Sequence, residues 1–181
     1  RGGMRALPDR PSCHTRCGRA RDGKMLSSCA AEDFVIQKKI CMVGVFGTGK
    51  TSLVQQFIYS KFSEKYHSTV GVKIDRKQVN VAGTDVNLLL WDLAGQDKFQ
   101  SVQGSYLRGS AGIFFVVDGT RRETLDELGG LQAVAREAAG ELPSVIAINK
   151  ADLEDQWQLG PGDFDALFGS GRHVLKTSAK T

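Results

Sequence analysis

Apolar residues follow two alternating patterns along the chain from residue 38 onward. Short runs of apolar or alternating residues predict six strands, at 38–45, 72–81, 85–92, 111–118, 143–149 and 173–178. Apolar residues spaced three and four positions apart predict helices at 50–60, about 97–107 and 122–139, with a short turn near 163–168. Strands that alternate with helices are typical of a doubly wound α/β fold.

One connection between strands is too short for a helix. The turn Ala82-Gly83-Thr84 separates the strands 72–81 and 85–92, and this spacing predicts a hairpin. The fold prediction is therefore a six-stranded, mostly parallel sheet with one antiparallel edge strand. Ligands of such sheets bind at the carboxyl ends of the strands, where we expect the functional residues.

The chain changes in composition near residue 35. Residues 1–24 contain seven basic and two acidic residues, whereas the rest of the chain contains 17 basic and 18 acidic residues. We expect 1–35 to be a disordered or non-native basic extension, with Met25 as a natural start, and 36–181 to form one domain. RNA binding through residues 1–24 is an alternative, but the segment lacks interleaved aromatic residues, so we do not expect a nucleic-acid partner.

The cysteines indicate free thiols rather than a metal site. Cys13 and Cys17 have metal-ligand character, but Cys29 and Cys41 do not supply a second pair. The apolar run 113–117 is too short to span a bilayer, and the amino terminus has no signal-peptide pattern. We therefore expect a cytoplasmic protein.

The most specific motif is the glycine-rich sequence GVFGTGKT at 44–51, between a predicted strand and a predicted helix. Its glycines allow backbone N–H groups to point at phosphates, and the helix N-terminus adds positive potential. Lys50 can reach the β- and γ-phosphates, and the Thr51 hydroxyl can bind Mg²⁺. The motif predicts a nucleoside triphosphate site. Its further phosphate-binding residues are expected to be Gly44, Phe46, Gly47, Thr48, Gly49 and Ser52.

A second motif, Trp91-Asp92-Leu93-Ala94-Gly95-Gln96, closes the strand 85–92. Asp92 can hold Mg²⁺ through a water molecule, and the Gly95 N–H can bond a γ-phosphate. Gln96 can orient an attacking water molecule, which makes it the candidate catalytic residue.

A third motif, Asn149-Lys150-Ala151-Asp152, follows the strand 143–149 and predicts guanine recognition. The Asp152 carboxylate can accept both N–H donors of guanine, whereas adenine would leave it unpaired. Asn149 can bond the base or tie down the phosphate loop, and the Lys150 stem can lie over the ring. The expected partners at the last strand are Ser178, Ala179 and Lys180, with the Ala179 N–H on the guanine O6.

The loop 61–71 carries Thr69 shortly before the second strand. Thr69 can give its hydroxyl to Mg²⁺ and its N–H to the γ-phosphate, so the segment would order with triphosphate and relax with diphosphate. Alternatively, a single threonine just before a strand can reflect only the preference of threonine for β-structure.

With these motifs together, the chain resembles the small Ras-like GTPases, and within them the Rab-like branch. The resemblance lies in HSTVGVKID, LLLWDLAGQDKFQSVQGSYLRGSAGIFFVVD and INKADL, and extends over most of residues 36–181. It implies a G domain with a phosphate loop, a GTP/GDP cycle with Mg²⁺, and a role in signalling or vesicle trafficking. It also implies an exchange factor, an activating protein and effectors of the GTP state. In this family Phe62 would lie edge-on to the guanine and Tyr66 over the phosphates.

Two features depart from the family pattern. Phe46 stands where relatives have glycine or serine, so we expect slow hydrolysis, unless its ring turns away onto a neighbouring loop. The sequence ends one residue after Lys180, so we expect a domain truncated before its C-terminal helix. Membrane attachment would then depend on an unseen carboxyl terminus.

Two alternatives to a slow GTPase follow from these residues. One is an interaction module that binds GTP with little or no hydrolysis because of Phe46. The other is an ATP-dependent phosphotransferase that uses the same phosphate loop, against which the carboxylate of Asp152 argues.

Overall fold

The computed structural model describes residues 36–63, 68–95, 104–160, 162–163, 166 and 173–181. All of them belong to the compact unit Phe34–Thr181. Three predicted segments lie wholly or mostly outside the described residues: the extension 1–35 with its cysteines, the helix over 97–103, and most of the turn 163–168.

The described chain contains six strands, three α-helices and two short 3₁₀ helices. The strands are β1 Ile36–Val43, β2 Val72–Val81, β3 Thr84–Leu93, β4 Gly112–Asp118, β5 Ser144–Asn149 and β6 His173–Lys176. The helices are α1 Lys50–Tyr59, α2 Glu123–Asp126 and α3 Leu128–Ala139, with 3₁₀ helices at Gly104–Tyr106 and Ala151–Gln156.

The strands form one sheet in the order β2-β3-β1-β4-β5-β6. The pair β2 and β3 is antiparallel, and the other four pairs are parallel. Val81 pairs with Thr84 across the hairpin, whose two central residues, Ala82 and Gly83, have φ of 50° and 83°. Positive φ at both positions is the geometry of a type I′ turn, which matches the twist of the two strands. The predicted six-stranded sheet with one antiparallel edge strand is confirmed.

Several predicted boundaries were wrong. The strand predicted at 38–45 spans Ile36–Val43 and ends where the glycine-rich phosphate loop begins at residue 44. The helix predicted at 122–139 is interrupted at Glu127, whose ψ of −15° departs from the α-helical value. The strand predicted at 173–178 ends at Lys176. The 3₁₀ helix Ala151–Gln156 was not predicted.

The core lies on both faces of the sheet. In β1, Cys41 and Val43 pack into a cluster with Leu128 and Leu131 of α3, whereas Met42 packs into a second cluster that contains Val54 of α1. Alternate residues of one strand thus serve opposite faces, as expected of a parallel sheet covered on both sides. The loops after β1, β3, β4 and β5 consequently meet at one open edge, where the site lies.

Among the residues that the structure describes, no helix has both the length and the apolar character needed to cross a membrane.

Candidate functional site

A cavity of about 400 Å³ lies at the carboxyl edge of the sheet. Most residues predicted from the motifs line it: Phe46, Gly47, Gly49, Lys50, Thr51, Ser52, Phe62, Thr69, Gly95, Asn149, Lys150, Asp152, Ala179 and Lys180. The predicted residues Gly44, Thr48, Asp92 and Ser178 lie just behind this wall, each hydrogen-bonded to one of its members. Gln96 and Tyr66 lie outside the described residues.

The phosphate loop depends on glycine at two positions. A Cβ on Gly44 would lie 2.4 Å from the Val116 carbonyl oxygen of the neighbouring strand. A Cβ on Gly49 would lie 2.3 Å from the Asn149 amide nitrogen, and its φ of 92° also disfavours other residues. The backbone of the loop can therefore pass close to β4 and β5 only without side chains.

Two side chains within the sequence motifs hold the loop from inside the protein. The Asn149 amide donates to the Thr48 carbonyl oxygen at 2.9 Å, and Asn149 is only 2% exposed. Thr48 is fully buried, and its hydroxyl donates to the Val45 carbonyl oxygen at 3.0 Å. Thr48 thus braces the loop, and its side chain does not face the cavity.

Lys50 is the cation on the floor of the cavity. Its ammonium donates to the carbonyl oxygens of Gly44 and Val45 at 2.9 and 3.0 Å, and the residue is 5% exposed. Burial lowers the pKa of Lys50 to about 8; the negative charge of Asp92 opposes this shift, and the nearby Arg121 adds to it. A buried ammonium with carbonyl partners is suited to an anionic ligand, which would compensate for the lost hydration.

The three predicted Mg²⁺ residues converge at one point beside Lys50. The Thr51 hydroxyl donates to Asp92 Oδ2 at 2.5 Å and lies 2.7 Å from the Thr69 hydroxyl, which lies 3.4 Å from the same carboxylate oxygen. Asp92 is fully buried, and its Oδ1 has no hydrogen-bond partner among the described residues. Burial raises the pKa of Asp92, whereas the Thr51 hydrogen bond and the Lys50 charge oppose that rise.

This donor set fits a magnesium ion. Hydroxyl and carboxylate oxygens are the hard ligands that Mg²⁺ prefers, usually together with water and substrate phosphates. A buried carboxylate oxygen without a protein partner is the group that a cation or its bound water would satisfy.

The opposite end of the cavity is formed by the loops after β5 and β6. The Ser178 hydroxyl donates to Asp152 Oδ1 at 2.7 Å and accepts from the Lys180 N–H at 3.1 Å. Ala179 between them is 5% exposed. Lys150 has a left-handed backbone, with φ of 68°, and its ammonium lies 2.6 Å from Asp118 Oδ2. The carboxylate of Asp152 and the backbone around Ala179 thus lie on the same wall of one cavity.

Several residues of the site were missed by the sequence motifs. Gln55, Ser63 and Leu153 also line the cavity. Asp118, the last residue of β4, and Arg121, in the loop that follows, support it from outside. A signal for Asp118 was present, because it ends an apolar strand at the same edge as Asp92 and Asn149. Burial alone would raise the pKa of Asp118, but its bonds to Lys150, Thr120 and Arg121 hold that pKa below its ordinary value.

Comparisons with known proteins agree with this architecture. The Ras family model matches residues 39–181. Ras-related protein Rab-4B from Rattus norvegicus and from Homo sapiens is 41% identical over 129 residues, or 70% of this chain and 60% of the relative. Ras-related protein Rab-4A from Bos taurus is 39% identical over 131 residues, or 72% of this chain and 60% of the relative. The alignments thus span about 60% of the length of these relatives. We conclude that this chain belongs to the Ras family and resembles its Rab-like members.

Proposed function

We propose that this chain is a Rab-like molecular switch that binds GTP and GDP with Mg²⁺ and slowly hydrolyses GTP. The observation that carries the proposal is the composition of the 400 Å³ cavity at the carboxyl edge of the sheet. One wall has a phosphate loop with a buried lysine, and another has the carboxylate of Asp152. A guanine nucleotide is the ligand whose two ends match these two walls.

The phosphate end works by position and charge. The N–H groups of the loop and of the first turn of α1 form hydrogen bonds with phosphate oxygens, and the helix N-terminus adds positive potential. Lys50 exchanges its carbonyl partners for phosphate oxygens, which restores the solvation that burial removes.

The metal would be held by Thr51 and Thr69 directly and by Asp92 through water. When bound there, Mg²⁺ would neutralise the charge of the β- and γ-phosphates. Asp92, which is fully buried beside both hydroxyls, orients them for this role.

The base end selects guanine over adenine. Asp152 accepts the two N–H donors of guanine, and Ser178 fixes the direction of the carboxylate. Adenine offers no such donors, so it would leave the carboxylate desolvated and unpaired, which costs affinity. The carboxylate of Asp152 therefore disfavours an ATP-dependent phosphotransferase.

Hydrolysis would use Gln96 to orient the attacking water molecule, as the sequence motif predicts. We expect a turnover of about 10⁻⁴ to 10⁻³ s⁻¹, typical of Ras-type proteins without an activating arginine. Phe46 borders the cavity and is 41% exposed. In the nucleotide-bound protein its ring would add bulk beside the γ-phosphate and slow the reaction further.

The cycle would need partners of the classes that Ras-like switches use. An exchange factor would release GDP, an activating protein would supply an arginine, and effectors would bind the GTP state. The exposed residues Phe62 and Val70, on either side of Thr69 in the sequence, are the surface that would change with the nucleotide.

The proposal is tested with the full chain after removal of bound nucleotide. GDP and ADP are titrated in the presence of Mg²⁺, and the protein is then loaded with GTP for a single-turnover assay. We expect preferential GDP binding and slow formation of one equivalent of GDP. Tight GTP binding without hydrolysis over hours would support the interaction module instead, and displacement of GDP by equimolar ADP would exclude guanine selection.

A further inference from the structure

An arginine in the loop after β4 contacts the phosphate loop. The Arg121 guanidinium donates from Nη2 to the Phe46 carbonyl oxygen at 2.7 Å. It also lies 3.4 Å from the position that a Cβ on Gly47 would occupy. Arg121 is not among the residues that line the cavity, so it contacts the loop from behind.

A buried carboxylate fixes the direction of this guanidinium. Arg121 Nε donates to Asp118 Oδ2 at 2.9 Å, and Asp118 is fully buried. The N–H and the hydroxyl of Thr120 donate to Asp118 Oδ1 at 3.0 and 2.7 Å, which holds the carboxylate in place. A planar guanidinium that is bonded at two edges has little rotational freedom.

The same carboxylate joins the two ends of the cavity. Asp118 Oδ2 also lies 2.6 Å from the ammonium of Lys150, which lines the base end. Trp157 supports this connection, because its indole N–H donates to the Lys150 carbonyl oxygen at 2.9 Å. Its ring lies against Gly119, where a Cβ would come within 2.3 Å of the indole. A continuous set of bonds therefore runs from Lys150 through Asp118 and Arg121 to Phe46.

The consequence for the phosphate loop follows from peptide geometry. The peptide bond is planar and trans, so the C=O of Phe46 and the N–H of Gly47 point in opposite directions. Arg121 holds the Phe46 carbonyl oxygen away from the cavity. The Gly47 N–H of the same peptide therefore points toward the cavity. Asn149 acts in the same way on the Thr48–Gly49 peptide. Its amide holds the Thr48 carbonyl oxygen and thereby orients the Gly49 N–H.

We propose that Arg121 is a positioning residue that orients the Phe46–Gly47 peptide so that its N–H binds the outer phosphates of the nucleotide. The inference rests on the proposed nucleotide site, and it adds a residue that acts on the phosphate chain without touching the ligand.

The test uses the full chain and the variants Arg121→Met, Arg121→Lys and Arg136→Met. Methionine removes the charge and the donors, and lysine keeps one charged donor that cannot bond two acceptors in a fork. Arg136, in the last turn of α3, is the matched control, because its side chain is 71% exposed and is paired with the exposed Glu141 beyond the helix. Dissociation constants for GDP and GMP are measured by competition with a fluorescent GDP analogue in the presence of Mg²⁺.

We expect Arg121→Met to weaken GDP binding about tenfold, the fold-change of one hydrogen bond from a charged donor. GMP binding should stay as in the parent protein, because GMP lacks the outer phosphates. Arg121→Lys should fall between the parent and Arg121→Met, and Arg136→Met should match the parent.

Unchanged GDP affinity in Arg121→Met would overturn the proposal. Equal weakening of GDP and GMP would also overturn it, because that pattern indicates general damage to the fold. If Arg121→Met does not fold, the GDP/GMP ratio of Arg121→Lys decides in the same way. A failure of the proposed function would instead appear in the parent, as equal binding of GDP and ADP, and the ADP/AMP ratio would then test Arg121.

Discussion

The phosphate loop and the Thr69 segment, residues 68–71, reach the same cavity but are held there differently. The phosphate loop is tied to β4 and β5 by Arg121 and Asn149, which do not depend on a ligand for their positions. Within the described part of the chain, Thr69 reaches the cavity through its hydroxyl contacts with Thr51 and Asp92. Its neighbour Val70 is 90% exposed.

This difference separates the two tasks of a switch. Nucleotide affinity comes from a cradle that the fold has already built, so little ordering is needed on binding. The position of Thr69, in contrast, depends on the groups that would hold Mg²⁺ and the γ-phosphate. The built part of the site comprises the phosphate loop 44–51 and the base end at 149–152 and 178–180. We therefore predict that variants of the built part affect GDP and GTP alike, whereas variants of the Thr69 segment affect GTP selectively.

The largest effect is expected at the base end of the built part. Asp152→Asn should weaken GDP binding by about 10² to 10⁴, because two hydrogen bonds to a charged acceptor are lost or reversed. Asp155→Asn, an exposed carboxylate on the same 3₁₀ helix, is the matched control and should bind GDP as the parent does. Titration of GDP and GTP on both variants measures this effect. We expect Asp152→Asn to lose the same affinity for GDP and for GTP. A loss of affinity for GTP alone would contradict the placement of Asp152 in the built part.

An intermediate effect is expected from the two threonines at the metal site. Thr51→Ala should weaken Mg²⁺-dependent binding of both nucleotides by about tenfold or more, because a hydroxyl ligand of the ion is lost. Thr69→Ala should weaken only a GTP analogue by about tenfold, because its partners are the ion and the γ-phosphate in the GTP state. The measurement is the Mg²⁺ dependence of GDP and GTP-analogue dissociation. If the two variants changed the dissociation of GDP and of the GTP analogue in the same way, the phosphate loop and the Thr69 segment would not have different roles.

The smallest effect is expected at Phe46, within the phosphate loop. Phe46→Gly should speed single-turnover GTP hydrolysis about threefold to tenfold, equivalent to about 1 kcal/mol of barrier, because it removes bulk beside the γ-phosphate. The control is a second exposed phenylalanine, Phe57, which is changed to alanine because glycine would destabilise the helix α1 that contains it. Phe57→Ala, at a side chain 45% exposed outside the cavity lining, should hydrolyse GTP at the parent rate. A rate for Phe46→Gly no higher than the parent would refute the steric explanation.

Much of the cavity wall was predictable from the sequence, because its residues belong to short motifs at the ends of strands. Asp92 lies at the carboxyl end of β3, and Lys50 and Asp152 lie in the segments after β1 and β5. The sheet brings these three strand ends to one edge. The local sequence therefore indicated both which side chains could bind a ligand and at which edge of the sheet they lie.

Arg121 was not predictable in this way, because its role arises from a contact with a residue 75 positions away in sequence. No local spacing marks an arginine whose partner is a backbone carbonyl on another strand's loop. The interruption at Glu127 is a different case. Gly129 and Gly130, which have low helix propensity, lie two and three residues after it in the first turn of α3, so the sequence did contain a signal against one continuous helix.

The central claim is that the fold builds the nucleotide cradle in advance and that the Thr69 segment responds to the γ-phosphate. Amide hydrogen exchange of the Mg²⁺-loaded protein, compared between GDP and a non-hydrolysable GTP analogue, tests it most directly. We predict slower exchange at Thr69–Gly71 and at Gly95 with the GTP analogue, and closely similar exchange at 47–52 in both states. Equal exchange at Thr69–Gly71 in the two states, or a larger change at 47–52 than there, would contradict it.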